Sequence, residues 1–404
     1  MPPDAPPPSA AAPDRAPRPP AEPDVPWVES PFFEDLVPAR GLSAEDEARA
    51  RHLHEHGFLV LEDAFDPELL DRARRDVEPL LDPSNDDPRR TQHRFQDAWR
   101  ESDAVRAIAT DPAVLGLLER LYGRRPVPFQ TLSFSHGSEQ RAHADTIHFS
   151  SIPARFMCGV WVAMEDVGPD NGTLYYYPGS HRLPDVDFQD LGLRYLNYSR
   201  EDPLEAFTYQ DYDRYEDFVE RLMAAEGLAP VELTAAKGTA LVWAAGLVHG
   251  GGPIRRPGAT RWTQVTHVYF ADSVYYAPIY STRATGDLYL KRIVDLTTGE
   301  PVRHRWRGLE LPDFPADGIY KLMIDVEAGE NGASRDVLRL VSNRHVKTLL
   351  DENRHLREVE NANLRRAKEN LEAAIRGIER SLSFRLARAL TAPARWVAAA
   401  LRRR

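Results

Sequence analysis

Cysteine is almost missing: the only one in 404 residues is Cys158, so no intramolecular disulfide and no cysteine-rich metal site can form. A helix-long apolar run is missing too. The best stretch, Thr239 to Val248, falls well short of the ~18 to 20 residues a spanning helix needs. Positive charge is in deficit, with a net charge of -11, which argues against a protein that coats nucleic acid by neutralising phosphates. No internal repeat is visible. The first 26 residues lack the basic start and apolar core of a secretory signal, which sets the expectation of a reducing, cytoplasmic location.

Proline is abundant but unevenly spread. Eleven of the 33 prolines fall between Met1 and Pro26, a composition that buries too little apolar surface to offset its ordering entropy. We read a disordered tail and place the first domain boundary near residue 40. Ser43 with Asp46 three residues on marks a helix start before the apolar run FLVLED, where the acidic first turn also favours the helix dipole. Further amphipathic helices are expected over Pro67–Leu81, Gln96–Thr110 and Pro112–Tyr122. Strand signals then take over: TLSFS, FMCGVWVAM, GTLYYYP, GTALVWAA and TRWTQVTHVYF are β-branched or aromatic and bounded by Gly, Pro or Asp. The middle third therefore reads as an all-β unit, interrupted by a helical insertion over about 203–227 whose Asp211–Gly227 part is placed to cover a site.

His143 and Asp145 stand two apart in a segment where strand pairing is expected, which directs both side chains to one face. His249 follows an apolar strand and precedes Gly250–Gly252, which would allow a sharp turn beside a bulky site. Two histidines and one carboxylate on one face of a metal, with the opposite positions open, is the arrangement of non-haem Fe(II) oxygenases. Two histidines near a β unit also occur in purely structural roles.

The wider pattern is more specific. HADTIHFSSIP, then CGVWVAMEDVGPDNGTLYYYPGSH, then LVHGGGPIRRPGATRWTQVTHVYF resembles the phytanoyl-CoA dioxygenase family of Fe(II)/2-oxoglutarate oxygenases, over roughly Leu42 to Asp313. The resemblance implies a mainly β fold, a double-stranded β-helix or jelly roll with flanking helices. It implies iron on His143, Asp145 and His249, and 2-oxoglutarate held through its distal carboxylate by Arg261, with Arg255 and Arg256 as rivals. Arginine suits that role because its planar fork pairs a carboxylate bidentately and stays charged; a surface ion pair is the alternative. Trp161 matches the tryptophan lining the cosubstrate pocket, or is plain core. His148 faces substrate or caps its strand, His181 belongs to a structural PGSH turn, and Gln130 and Thr131 are placed to reach the site. With O2 at the remaining metal position, the implied reaction yields succinate and CO2, with hydroxylation as the default outcome. The carboxylate of Asp145 argues against the related halogenating chemistry, which needs a small residue there.

Three functional readings remain open on the sequence: a dioxygenase acting on a small-molecule, lipid or glycan-related substrate; a catalytically idle metal-binding module serving assembly; and a jelly-roll metalloenzyme that does not use 2-oxoglutarate. Beyond residue 313 we expect a linker over 314–335, then an irregular coiled-coil-like helix over 336–380, carried by Leu349, Leu356, Leu364, Leu371 and Ile378. Residues 381–404 form a basic amphipathic tail: Arg380 to Arg404 holds seven arginines and no acid. The helix suggests a homo-oligomer, and the tail a peripheral contact with the inner face of a membrane.

Overall fold

Four of the helices begin where a short polar side chain takes up a free backbone N–H. The computed structural model describes residues 24–91, 93–193, 209–283, 286–314, 318–328 and 334–342. In it Ser43 caps α2 (Ala44–His56) by accepting from Asp46 N at 3.1 Å. Asp66 and Asp111 cap α3 (Pro67–Val77) and α5 (Pro112–Tyr122), each with proline in the first turn. Ser102 caps α4 (Asp103–Ala109), so the helix expected from Gln96 starts seven residues later. Asp97 adopts a left-handed φ of 58°, which breaks the backbone before any helix can propagate. The remaining helices are the one-turn α1 (Phe33–Leu36) and α6 (Tyr209–Ala225) in the insertion.

The strands are β1 (Phe58–Leu61), β2 (Arg90–Thr91), β3 (Arg94–Gln96), β4 (Pro126–Phe134), β5 (Ser150–Ile152), β6 (Met157–Ala163), β7 (Leu174–Tyr176), β8 (Val231–Glu232) and β9 (Ala240–Ala244). They continue with β10 (His249–Gly251), β11 (Thr263–Phe270), β12 (Val274–Tyr276), β13 (Asp287–Leu290), β14 (Arg305–Trp306), β15 (Leu309–Glu310), β16 (Gly318–Ala328) and β17 (Ser334–Ser342). A large antiparallel sheet has the order β1-β9-β6-β11-β4-β3-β2, and a small one β10-β7-β8. An antiparallel bridge from His143 to His249 extends the small sheet past β10. From β4 through His143 to β11, with β5 set aside in another sheet, the chain alternates between the two sheets at every step except β7 to β8, which is the connectivity of a jelly roll.

Alternation along the strands separates two cores. On β6, Cys158, Val160 and Val162 point outward and pack with Leu53 of α2, Leu70 and Val77 of α3, and Leu118 of α5. Trp161 and Ala163 point inward and meet Leu241, Trp243 and Val265 with Leu174 and Tyr176 of the small sheet. The lone cysteine therefore lies under the helices. A third sheet, β17-β16-β13-β12-β5, closes one side.

Two domain boundaries need correction. Residues 24–40 are folded: Trp27, Val28, Phe33 and Val37 are buried in the helix-side core, because this stretch, unlike the one before it, carries large apolar side chains. Residues 318–328 and 334–342 are strands rather than a linker and the start of a helix. Period-two burial explains this: Leu338 is buried beside Val274 and Leu290, Leu340 packs on the same cluster, and Arg339 between them is exposed. The expected coiled coil beyond Ser342 and the basic tail lie outside the described residues.

Candidate metal centre

Asp145 does not continue a strand; it opens a single 3-10 turn, Asp145–Ile147. Ala144 before it is extended, at φ -107° and ψ 142°, and that one extended residue turns the His143 and Asp145 side chains to the same side. His249 enters from β10, paired with His143 through reciprocal backbone hydrogen bonds of 3.0 and 2.9 Å. One ligand atom from each of His143, Asp145 and His249 lies within 4.8 Å of the others, and all three residues are buried. His249 Nε2 stands 3.9 Å from Asp145 Oδ1.

The tautomers are set by carbonyls. His143 Nδ1 donates to Arg141 O at 2.9 Å and His249 Nδ1 donates to Leu247 O at 3.0 Å. Both Nε2 lone pairs are thereby directed toward the carboxylate, as metal ligation requires. Burial, reinforced by the neighbouring His249, holds His143 at a pKa of about 3, so the ring is neutral and ready to ligate. Burial opposes the charge on Asp145, but the surrounding imidazoles of His249, His267 and His143 and the Trp243 indole outweigh it, and its pKa falls below the usual carboxylate value. Trp243 Nε1 donates to Asp145 Oδ2 at 2.7 Å, which leaves Oδ1 to face the histidines.

The three glycines after His249 serve close approach rather than a turn. A Cβ on Gly250 would lie 2.5 Å from the Tyr175 hydroxyl, and one on Gly251 2.5 Å from Ser138 Oγ, while neither residue has a positive φ.

The cluster opens into a cavity of about 400 Å³ between the sheets, lined also by Gln130, His148, Trp161, Arg261 and His267. Arg261 is 2% exposed and donates to Gly172 O at 2.7 Å, yet among the described residues its Nε has no partner and no carboxylate pairs with it. Burial alone lowers its pKa to about 10, which keeps it charged at neutral pH. Its rivals are elsewhere: Arg255 is exposed and pairs with Glu232 at 2.5 Å, and Arg256 is exposed. His148 lines the cavity and its Nε2 lies 2.9 Å from the Tyr212 hydroxyl of α6. His181 is structural, with Nε2 3.1 Å from His54 O. Gln130 reaches the cavity, whereas Thr131 does not: it is buried on the opposite face of β4, where its N–H donates to Asp97.

Sequence reasoning missed three participants. His267 Nε2 lies 3.8 Å from Asp145 Oδ2, and its Nδ1 is 2.8 Å from Gln130 Oε1. Strand parity with Arg261, six residues earlier, carried that signal. Gln140 Nε2 approaches His143 Nε2 at 3.2 Å. Trp243 carried no signal beyond its place in an apolar strand.

A jelly roll that buries two histidines and a carboxylate on one face of an open cavity presents the donor set by which non-haem iron proteins hold a single metal ion. The chain belongs to the phytanoyl-CoA dioxygenase (PhyH) family, whose model matches residues 53–261, just over half of it. Phytanoyl-CoA dioxygenase domain-containing protein 1 of Mus musculus is 31% identical over 99 residues, which are 23% of this chain and 34% of that protein. Its Danio rerio counterpart is 32% identical over 78 residues, 18% of this chain and 27% of that protein. The chain thus spans about a third of the length of these relatives. Among solved structures, the epimerase SnoN in complex with Fe3+, alpha ketoglutarate and nogalamycin RO is 19% identical, with a TM-score of 0.45 over 64% of this chain and 96% of that one. EctD from S. alaskensis with 2-oxoglutarate and 5-hydroxyectoine is 19% identical, with a TM-score of 0.43 over 63% and 84%.

Iron(II) and 2-oxoglutarate, the family's cofactor and cosubstrate, both fit the residues present. The donor set is two neutral imidazoles and one carboxylate, and a buried guanidinium without an anion lines the same cavity. Among the described residues no helix is long and apolar enough to cross a membrane.

Proposed function

We propose that the protein is an Fe(II)- and 2-oxoglutarate-dependent dioxygenase that hydroxylates a small-molecule, lipid or glycan-related substrate, with release of succinate and CO2. The observation that carries this reading is Arg261: a buried charge without a counterion is costly, and a dicarboxylate cosubstrate supplies the missing partner. His143, Asp145, His249 and Arg261 would hold iron(II) and 2-oxoglutarate, which would supply oxidative decarboxylation of the keto acid coupled to insertion of one oxygen atom of O2 into a substrate C–H bond.

The chain's own residues divide the remaining work. His143, Asp145 and His249 would hold the metal on one face. Trp243 fixes the carboxylate by its N–H, and the carbonyls of Arg141 and Leu247 fix the two rings. Arg261 anchors the distal carboxylate of 2-oxoglutarate, and Trp161 walls the pocket between the sheets. Over the ligand loop, Tyr215, Val219 and Met223 of α6 pack on Ala142, Ala144 and Val248, which keeps water from the back of the ligands.

Succinate formed from 2-oxoglutarate by the iron-loaded protein tests the reading. Arg261→Ala should raise the 2-oxoglutarate dissociation constant by about a hundredfold or more, the scale of breaking a buried charge pair, and Asp145→Ala should abolish iron binding. An unchanged dissociation constant in Arg261→Ala would remove the anchor and the reading with it.

A further inference from the structure

We propose that the primary substrate is an organic anion and that Arg94 holds its anionic group. This rests on the oxygenase reading above, which accounts for Arg261 but not for Arg94. β3 pairs with β4 with Arg94 opposite Phe134, and alternation along the strand sends Arg94 and Gln96 into the cavity while Phe95 is buried among the helices. The guanidinium is half-buried. Among the described residues its side chain has no hydrogen-bond or ion-pair partner, and its Nε is fully buried and unsatisfied. Burial alone acts on it and lowers its pKa, with no carboxylate in range to raise it.

The charge balance of the cavity points the same way. Its lining holds two arginines, Arg94 and Arg261, against the single carboxylate of Asp145. The two positive charges of iron(II) and the two negative charges of 2-oxoglutarate cancel, so the loaded cavity keeps its positive excess. The two arginines serve different regions. Arg261 lies under Phe134, 5.9 Å from the ring centroid, and is bonded to Gly172. Arg94 instead exerts its charge on His148 and His267, beside the metal ligands. Ala277, Ile279 and Phe149 supply apolar wall in the same cavity. A carboxylate or phosphate on a compact carbon frame, seated on Arg94 by charge-assisted hydrogen bonds, would put its carbon chain against the metal site.

The test is equilibrium binding of three probes, benzoate, phenyl phosphate and neutral benzamide, to the full-length iron(II)-loaded protein without O2, with and without 2-oxoglutarate. Benzoate or phenyl phosphate should bind about ten- to a hundredfold tighter than benzamide, and whichever anion is preferred distinguishes a carboxylate from a phosphate substrate. Arg94→Gln should erase the preference and Arg94→Lys keep part of it, with 2-oxoglutarate affinity unchanged in both. Three results overturn the proposal: no saturable binding of either anion, a preference that survives in Arg94→Gln, or a 2-oxoglutarate affinity that falls in Arg94→Gln. Failure of 2-oxoglutarate to bind the wild-type protein would instead overturn the oxygenase reading, and the probe preference measured without it would still decide the role of Arg94.

Discussion

Asp145 is the side chain on which most of the site converges. It is approached by His249 and His267 at 3.9 and 3.8 Å and held by the Trp243 indole at 2.7 Å. A carboxylate free to rotate would present either oxygen to a metal; a single N–H donor on Oδ2 removes that freedom. Trp243→Phe keeps most of the ring volume in the inter-sheet core and deletes only the donor. Iron(II) affinity should therefore fall about 10- to 100-fold, the range for losing a partner that orients a ligand, while the unfolding midpoint moves little. Metal titration followed by chemical denaturation checks both halves. The His143, Asp145 and His249 cluster was legible in the sequence because a two-residue spacing and a strand end put those side chains together, whereas Arg261 was reached only through the family resemblance, and it lines the same cavity. Arg94 was not legible, because TQHRFQDAWR carries no period long enough to reveal a three-residue strand.

Among the elements, β6 and β9 show how the site depends on what a strand omits. Gly159 on β6 faces Trp243 on β9 in register, and a Cβ there would sit 2.3 Å from the indole. Gly159→Ala must displace the ring or bend the strand. It should cost about 1–3 kcal/mol of stability and weaken iron binding as well, since the displaced indole is the one that holds Asp145. A variant with wild-type denaturation and metal affinity would show that the sheet absorbs the methyl group freely. Strands β1, β4, β6, β7, β9 and β11 were visible in advance through their β-branched and aromatic composition, and α5 appeared at its full length. Elements whose limits depend on a single backbone residue were not: α4 is delayed by the left-handed Asp97, and β17 resembles the start of the leucine-rich segment behind it until the burial of Leu338 is known.

For the molecule as a whole, the N-terminal segment is tied down by a charge that costs stability. The Glu29 side chain is 1% exposed and lies 3.4 Å from Arg155, and its Oε1 has no partner. Burial, partly offset by Arg155, raises its pKa from 4.5 to about 7. With the folded value above the unfolded one, the folded state binds the extra proton, so stability is fully present below about pH 4.5 and is lost as pH rises through about 7. Between pH 4 and pH 8 the wild type should lose up to about 3 kcal/mol relative to Glu29→Gln. Denaturant midpoints of the two proteins measured at both ends of that range would reveal it, and parallel curves would refute it. A different consequence follows from the edge hairpin. β2 and β3 join the large sheet only through β4, yet they deliver Arg94 to the cavity. The hairpin supplies none of the three residues of the metal cluster, so on the proposed role of Arg94 a lineage built on this frame would change its substrate by mutating one border of one sheet, leaving the donor set as inherited.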